Sequence, residues 1–291
     1  MGHKRVRLLD LLQTRFPEIS KKELHARAVC GEVFVGGERV RDPGTPVDPQ
    51  AELSLTRAPY VSRGGEKLEH ALMSWNLPVR GKIFLDAGSS TGGFTDCLLQ
   101  HGAEGVHAVD VGYNQIDFSL RTDSRVFLHE RTNLMELTSL NPAPEAATAD
   151  LSFRSIVGAA VKLLELTREE WAVVLIKPQF EYAAGAGAGN TGAPGDFAGV
   201  IESPKRLAEV LRETVSRLDN RGIPVLRLLE SPIRGRKGNR EFLALIGREP
   251  AGALGEVPRP PGTDTPSSHY SGSPAEVIDG IRRESDRGKD R

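Results

Sequence analysis

The stretch from Ile83 to Phe94 constrains this 291-residue chain more than any other. An apolar run, Ile83-Phe84-Leu85, ends in Asp86. Ala87-Gly88-Ser89-Ser90-Thr91-Gly92-Gly93-Phe94 follows, and a helical pattern opens at Thr95. A buried strand that passes through a glycine-rich turn into a helix is a unit of an open α/β sheet. Its ligand lies at the carboxyl edge, where glycine lets backbone approach closely. The alternation continues through residues 61–248. Lys67 to Trp75 reads as a helix, Val106–Asp110 and Ala146–Asp150 as strands, and a helix starts at Ser155. The strand Ala172–Ile176 follows, then a helix around Pro204–Leu218 and strands over Pro224–Leu229 and Glu241–Ile246. Strands alternating with helices predict a mostly parallel sheet covered on both faces.

Residues 1–57 form a separate pattern. Val6, Leu8, Leu9, Leu11 and Leu12 make a broad apolar helix face between Arg5 and Phe16. Ser20 caps a second helix, with Glu23 as its capping-box partner, and Gly31 ends it. Glu32-Val33-Phe34-Val35, Gly36-Gly37 and Glu38-Arg39-Val40 read as a hairpin, Asp42-Pro43-Gly44 as a turn, and Ala51 to Leu55 as a last strand. Lys4, Arg5, Arg7, Arg15, Lys21, Lys22 and Arg27 face only Asp10, Glu18 and Glu23. Helix-borne basic charge of this kind attracts polyanions. Residues 58–60 read as a linker stiffened by Pro59. Residues 249–291, rich in Pro, Gly, Ser and charge, read as a mostly disordered tail, with Ala275 to Arg283 as a candidate short helix. Ala183–Gly195, nearly all Ala and Gly, reads as a mobile loop beside the carboxyl edge.

The net charge of −1 gives no global pull toward nucleic acid, so the N-terminal basic face matters by its position. Cys30 and Cys97 have no C-x-x-C partner, which argues against a disulfide framework or a zinc site and for a reducing, cytoplasmic compartment. No apolar run follows the basic N-terminal residues, so no secretory signal is expected. Trp171 to Ile176 is far too short to span a bilayer, and no membrane partner is expected.

The turn discriminates among nucleotide ligands. A phosphate-binding P-loop needs lysine after Gly93, where Phe94 stands. A dinucleotide turn needs a glycine two residues after Gly88, where Ser90 stands. The spacing D-x-G-x-x-x-G-G-F resembles instead the S-adenosylmethionine turn of class I methyltransferases. Asp110, ending the next strand, can accept hydrogen bonds from ribose hydroxyls.

Further segments complete the resemblance: Ser62-Arg63-x-x-x-Lys67-Leu68, Val109-Asp110-Val111-Gly112-Tyr113, Glu130-Arg131-Thr132-Asn133, Ala149-Asp150-Leu151-Ser152-Phe153, Lys177-Pro178-Gln179-Phe180-Glu181 and Lys237-Gly238-Asn239-x-Glu241-Phe242. In this order they resemble the TlyA family of ribosomal RNA ribose methyltransferases, which carry an FtsJ-like catalytic domain. Some of its members are named hemolysins. Residues 3–55 resemble the S-four RNA-binding domain. The resemblance implies a small N-terminal α+β RNA-binding domain followed by a class I, Rossmann-like methyltransferase domain over 61–248. It implies S-adenosyl-L-methionine as cofactor, ribosomal RNA or ribosomal subunits as partner, and a cytidine 2′-hydroxyl as target.

It also implies a catalytic tetrad of Lys67, Asp150, Lys177 and Glu241. A ribose hydroxyl is a poor nucleophile until its proton leaves, and positioned amines and carboxylates suit that task. Lys177 is the candidate base, with Asp150 and Glu241 orienting the amines. Lys67 alone would read as helix surface. The candidate cofactor residues are Asp86, Gly88, Ser89, Thr91, Gly92, Gly93, Phe94, Asp110 and Asn133, the last equally readable as a turn residue. Arg5, Arg7, Lys21, Lys22, Arg27 and Arg63 are the candidate RNA contacts, and Arg131, Arg234, Arg236 and Lys237 are candidate phosphate holders near the target. His107, on an apolar strand, reads as structural. The alternatives are a non-catalytic RNA-binding or ribosome-assembly factor and a membrane-lytic protein. The tetrad argues against the first, and the absence of a spanning or membrane-active amphipathic segment against the second.

Overall fold

A computed structural model describes residues 5–56, 59–152, 155–185, 199–235, 237–251 and 271–287. Phe153, Arg236, Ala58 of the expected linker and residues 186–195 of the expected loop lie outside them. The chain divides into two compact units, Met1–Arg63 and Gly64–Arg291.

The first unit runs β1 (Val6–Arg7), α1 (Leu8–Arg15), α2 (Lys21–Cys30), β2 (Val33–Val35), β3 (Glu38–Arg39), β4 (Pro46–Val47) and β5 (Leu53–Leu55). Helix α1 starts later than its apolar periodicity predicts, because Val6 and Arg7 pair with Val47 and Pro46. The Ser20 hydroxyl accepts from the Glu23 amide at 3.2 Å, while the Glu23 carboxylate turns to Arg27 at 2.8 Å. Gly31 closes α2 in the left-handed conformation. Gly36 and Gly37 both take positive φ, which a two-residue turn between twisted strands requires. Leu8, Leu11, Leu12, Leu24, Ala28, Val33 and Val47 form the core.

The second unit runs α3 (Arg63–Trp75), β6 (Ile83–Ala87), α4 (Gly93–Gln100), β7 (Gly105–Val109), α5 (Phe118–Arg121), β8 (Val126–His129), β9 (Ala146–Ala149), α6 (Ile156–Glu165), β10 (Trp171–Ile176), α7 (Pro178–Gly185), α8 (Pro204–Asp219), β11 (Val225–Glu230), β12 (Phe242–Gly247), β13 (Ser271–Gly272) and α9 (Pro274–Arg287). Among the described residues these strands form one sheet in the order β13-β11-β12-β10-β9-β6-β7-β8. The run from β10 through β9, β6 and β7 to β8 is parallel. Strand β12 enters antiparallel between β10 and β11. Leu85, Ala87, Ala147, Ala149, Val174 and Ile176 share a core with α6, α8 and α9. Period-2 alternation turns Asp86 and Thr148 to the other face, where Asp86 meets Thr95 of α4.

Two expectations need correction. Residues 271–287 are not a disordered tail. Strand β13 pairs with β11, and α9 buries Val277, Ile278 and Ile281 in the core. The candidate short helix at Ala275–Arg283 is present within α9, which Pro274 opens, and the polar composition of the whole segment hides only that its apolar residues share one buried face. Residues 183–185, placed in a loop by their composition, close α7 instead.

Candidate active site

The carboxyl ends of β6, β9 and β10 share one edge of the sheet, because the three strands are parallel neighbours. Strand β12 runs the other way, so its start lies at the same edge. Ile176 faces Phe242 across the pair, which sets Lys177 and Glu241 side by side. Lys177 follows β10 directly, and Pro178 opens α7 behind it. Asp150 follows β9, its amide donating to Ala87 at 3.0 Å. Lys67 comes from the second turn of α3.

These four side chains form two ion pairs. Lys67 Nζ donates to Glu241 Oε2 at 2.6 Å, and both side chains are about nine-tenths buried or more. Lys177 Nζ stands 2.5 Å from Asp150 Oδ1 and donates to the Ser152 hydroxyl at 3.2 Å. The Asp150 contact is a charge contact: Oδ1 is buried and accepts no aligned hydrogen bond. Two cations and two anions cancel, so the cluster is neutral as a set and each charge is compensated where water is scarce.

The glycine turn lies next to this cluster. Gly88 has φ +80°, and a Cβ there would lie 2.7 Å from the Asp150 carbonyl oxygen. Gly92, φ +94°, is the N-cap of α4 and offers no capping side chain, and a Cβ there would overlap Leu120. Within the first turn the Thr95 amide donates to buried Asp86, and the helix N-terminus favours an anionic group near the amides before it. Asp110 secures the turn from β7: its two oxygens accept from the Ser90 amide at 2.8 Å and the Gly112 amide at 2.6 Å. Each carboxylate oxygen keeps further acceptor capacity for ligand hydroxyls. Val111, next to it, is 73% exposed and presents an apolar face that sequence reading passed over.

The structure gives other expected cofactor residues different surroundings. Asp86 is fully buried, its carboxylate accepting from Thr95 at 2.7 Å and Thr148 at 3.1 Å. Burial pushes this acid up to about 7, the two hydroxyls opposing and the Asp150 charge adding to the rise. Asp86 braces the floor of the turn. Phe94 is 3% exposed and Ser89 6%, so the phenyl ring belongs to the packing under the turn. Thr91 is exposed, and its carbonyl accepts from the Asp117 amide at 3.1 Å. Gly93 is the first residue of α4. Asn133 caps the 3-10 turn Leu134–Glu136, accepting from the Met135 amide at 3.1 Å.

In the first unit Arg5, Arg7, Lys21 and Lys22 are exposed. Lys21 lies 3.5 Å from Asp10, and Arg27 pairs with Glu23 and Glu32. Arg63 opens α3 and is half-buried. Arg131 stacks over the Tyr113 ring at 4.1 Å, and Arg234 donates to the Gly238 carbonyl at 3.3 Å.

Two supporting residues escaped sequence reasoning. Glu181, on α7, is buried and accepts from the Ser155 hydroxyl at 2.6 Å and the Ile156 amide at 2.7 Å. It ties the helix after Lys177 to the helix after Asp150. Burial raises its carboxyl, against the Ser155 and Ile156 hydrogen bonds and the Arg217 charge. Its place four residues after Lys177 is the signal that could have found it. Gly235 lies against Glu241, and a Cβ there would overlap Oε1. Nothing in the local sequence marks that approach.

Residues 60–248 match the FtsJ-like methyltransferase family. The chain is similar to the Bacillus subtilis protein YqxC, 39% identical over 84% of this chain and 86% of that one. It is also similar to a Mycobacterium tuberculosis protein named 16S/23S rRNA (cytidine-2'-O)-methyltransferase TlyA, 37% identical over 77% of this chain and 83% of that one. Among solved structures, a Streptococcus thermophilus protein that carries the hemolysin name superposes with a TM-score of 0.64 at 32% identity, covering 99% of each chain.

Proposed function

This chain belongs to the FtsJ-like methyltransferase family, and on that premise we propose that it methylates the 2′-hydroxyl of a cytidine in ribosomal RNA, with S-adenosylmethionine as donor. The observation that carries the reading is the pairing of Lys177 with Asp150 and of Lys67 with Glu241 at one sheet edge, beside the glycine turn. The donor set fits this cofactor. The uncapped start of α4 suits its carboxylate, Asp110 its ribose hydroxyls, and exposed Val111 its adenine face. When bound, it supplies a sulfonium methyl that reacts with an oxygen nucleophile without a metal.

The remaining work falls to the protein. Lys177 takes the proton of the ribose hydroxyl as the neutral amine, after the ammonium that pairs with Asp150 has released its own proton to solvent. Asp150 and Ser152 fix the direction of its amine. Lys67 presents positive charge where the oxygen gains negative charge, and Glu241 holds Lys67 in place. Pre-set ion pairs spare the site reorganisation during the reaction. The basic residues of the first unit engage the RNA backbone, and the nucleotide leaves its stack to reach the site. Its substrate places the protein in the cytoplasm. Among the described residues no helix is long and apolar enough to cross a membrane.

Tritium transfer from labelled S-adenosylmethionine to unmodified ribosomal subunits tests the proposal. The expected result is label in RNA at one alkali-resistant dinucleotide, lost in Lys177→Ala. Absence of label from a protein that binds the cofactor would refute it. Dye release from liposomes tests the hemolytic name, and none is expected.

A further inference from the structure

Arg240 stands one residue before Glu241, and its side chain is 11% exposed. Its Nε and Nη2 donate to the two oxygens of Glu230 at 2.8 and 2.6 Å. Its Nη1 and Nη2 also donate to the two oxygens of Glu284, at 2.8 and 3.2 Å. Glu230 ends β11 and is nearly buried, while Glu284 belongs to α9 and is one-third exposed. A single planar fork thus joins the end of β11, the entry to β12 and the C-terminal helix.

This arrangement is expensive as packing alone. Apolar side chains of similar volume would fill the corner without desolvating three charges. What a doubly bidentate arginine adds is direction, because its donors leave the guanidinium at fixed angles. The neighbouring side chain needs direction most. Glu241 leaves the backbone toward Lys67, away from the partners of Arg240. Its carbonyl accepts from the Ser231 amide at 2.9 Å, and its carboxylate rests against the bare α-carbon of Gly235. Asn239 completes the frame, accepting from the Ile201 amide at 3.1 Å.

We infer that Arg240 is a positioning residue. Gripped by Glu230 and Glu284, it sets the backbone at Glu241 so that the carboxylate meets Lys67. Helix α9 is thereby part of the catalytic unit. This inference rests on the proposed methyl transfer for its kinetic test and on geometry for its structural one.

The test compares full-length wild type with Arg240→Lys, Glu284→Gln, Glu241→Gln and the double variant Arg240→Lys/Glu241→Gln. Methyl transfer to ribosomal subunits, S-adenosylmethionine affinity and Tm are measured for each. Arg240→Lys and Glu284→Gln should lower kcat on the order of tenfold or more, as displaced catalytic groups do, at unchanged cofactor affinity. Once Glu241 is glutamine, Arg240→Lys should cost little more, because a positioning residue acts through the group it positions. Full kcat in both single variants, or additive losses in the double variant, would overturn the inference. Should Arg240→Lys fail to fold, Glu284→Gln, at the exposed partner, and its double with Glu241→Gln carry the same test. A crystal structure of Glu284→Gln separates the two claims. If the wild type transfers no methyl, the functional reading falls. The positioning claim then stands if the Lys67–Glu241 pair has opened, and falls if it is intact.

Discussion

A Cβ at Gly88 would lie 2.7 Å from the carbonyl oxygen of Asp150, so the turn proposed to receive the cofactor and the loop that carries a carboxylate of the proposed tetrad touch through backbone. At φ +80° the position also disfavours any side chain. Gly88→Ala should therefore disturb both halves of the site at once. We expect weaker S-adenosylmethionine binding by calorimetry, lower turnover, and a stability loss of about 1–3 kcal/mol from backbone strain. Wild-type affinity in this variant would mean that the two loops are independent.

Lys177 separates chemistry from binding. Among the described residues it touches Asp150 and Ser152, and its polar contacts there do not reach the glycine turn. Lys177→Ala should lower methyl transfer by roughly 10²-fold or more, the contribution of a positioned base. Cofactor affinity should change little. Normal turnover would remove Lys177 from the role of base.

Asp86 gives stability an unusual pH dependence. Burial raises its carboxyl from 3.8 to about 7. Folding therefore favours the protonated form. That contribution is fully present below about pH 3.8 and is lost as pH rises through about 7. Asp86→Asn cannot ionise, so it should gain on wild type between pH 5 and pH 8, by at most about 3 kcal/mol. Urea unfolding at the two pH values measures the gain, and an unchanged difference would contradict it.

His107 and His129 work in the opposite sense. Their facing nitrogens are 3.0 Å apart, and His107 Nε2 lies 2.8 Å from the Pro142 carbonyl. Neutral rings satisfy this chain when His107 donates to Pro142 and His129 donates to His107. Burial lowers both groups from the ordinary 6.5. Their contribution is thus present above about pH 6.5 and is lost as pH falls below it. His129→Gln should show a shallower acid-side loss than wild type in denaturant titrations between pH 7 and 5.

Arg5 and Lys22 are exposed on the first unit. Replacing both with alanine should weaken ribosomal RNA binding and reduce the slope of log affinity against log salt by about 2, one for each phosphate contact. Filter binding across a salt series reads that slope. Cofactor affinity should be untouched.

What the sequence revealed followed from physics local to a segment. Lys177 after five apolar residues and before proline had to stand at a strand end, and the antiparallel return of β12 brought Glu241 beside it. The glycine turn was equally legible. Asp86 was harder, because a strand end offers two faces and only packing decides that this acid turns to Thr95 and Thr148. Strand β8 went unnamed because Val126–His129 is short and half-buried at the sheet edge. Helix α9 was legible as a short helix over Ala275–Arg283, but its docking was hidden by averaging: Val277, Ile278 and Ile281 form a buried face inside a segment whose overall composition is polar. The clamp from Arg240 to Glu284 spans 44 residues, and no local pattern announces such a distance.

The place of β12 sets a timetable. This strand is made after β11 yet lies between β11 and β10. As the chain leaves the ribosome, the slot beside β10 must stay open until residues 242–247 arrive, and α9 can close the corner only later still. Half of the Lys67–Glu241 pair is therefore missing until most of the chain has been synthesised. A nascent chain still inside its own translating ribosome is surrounded by ribosomal RNA but has no complete site with which to modify it.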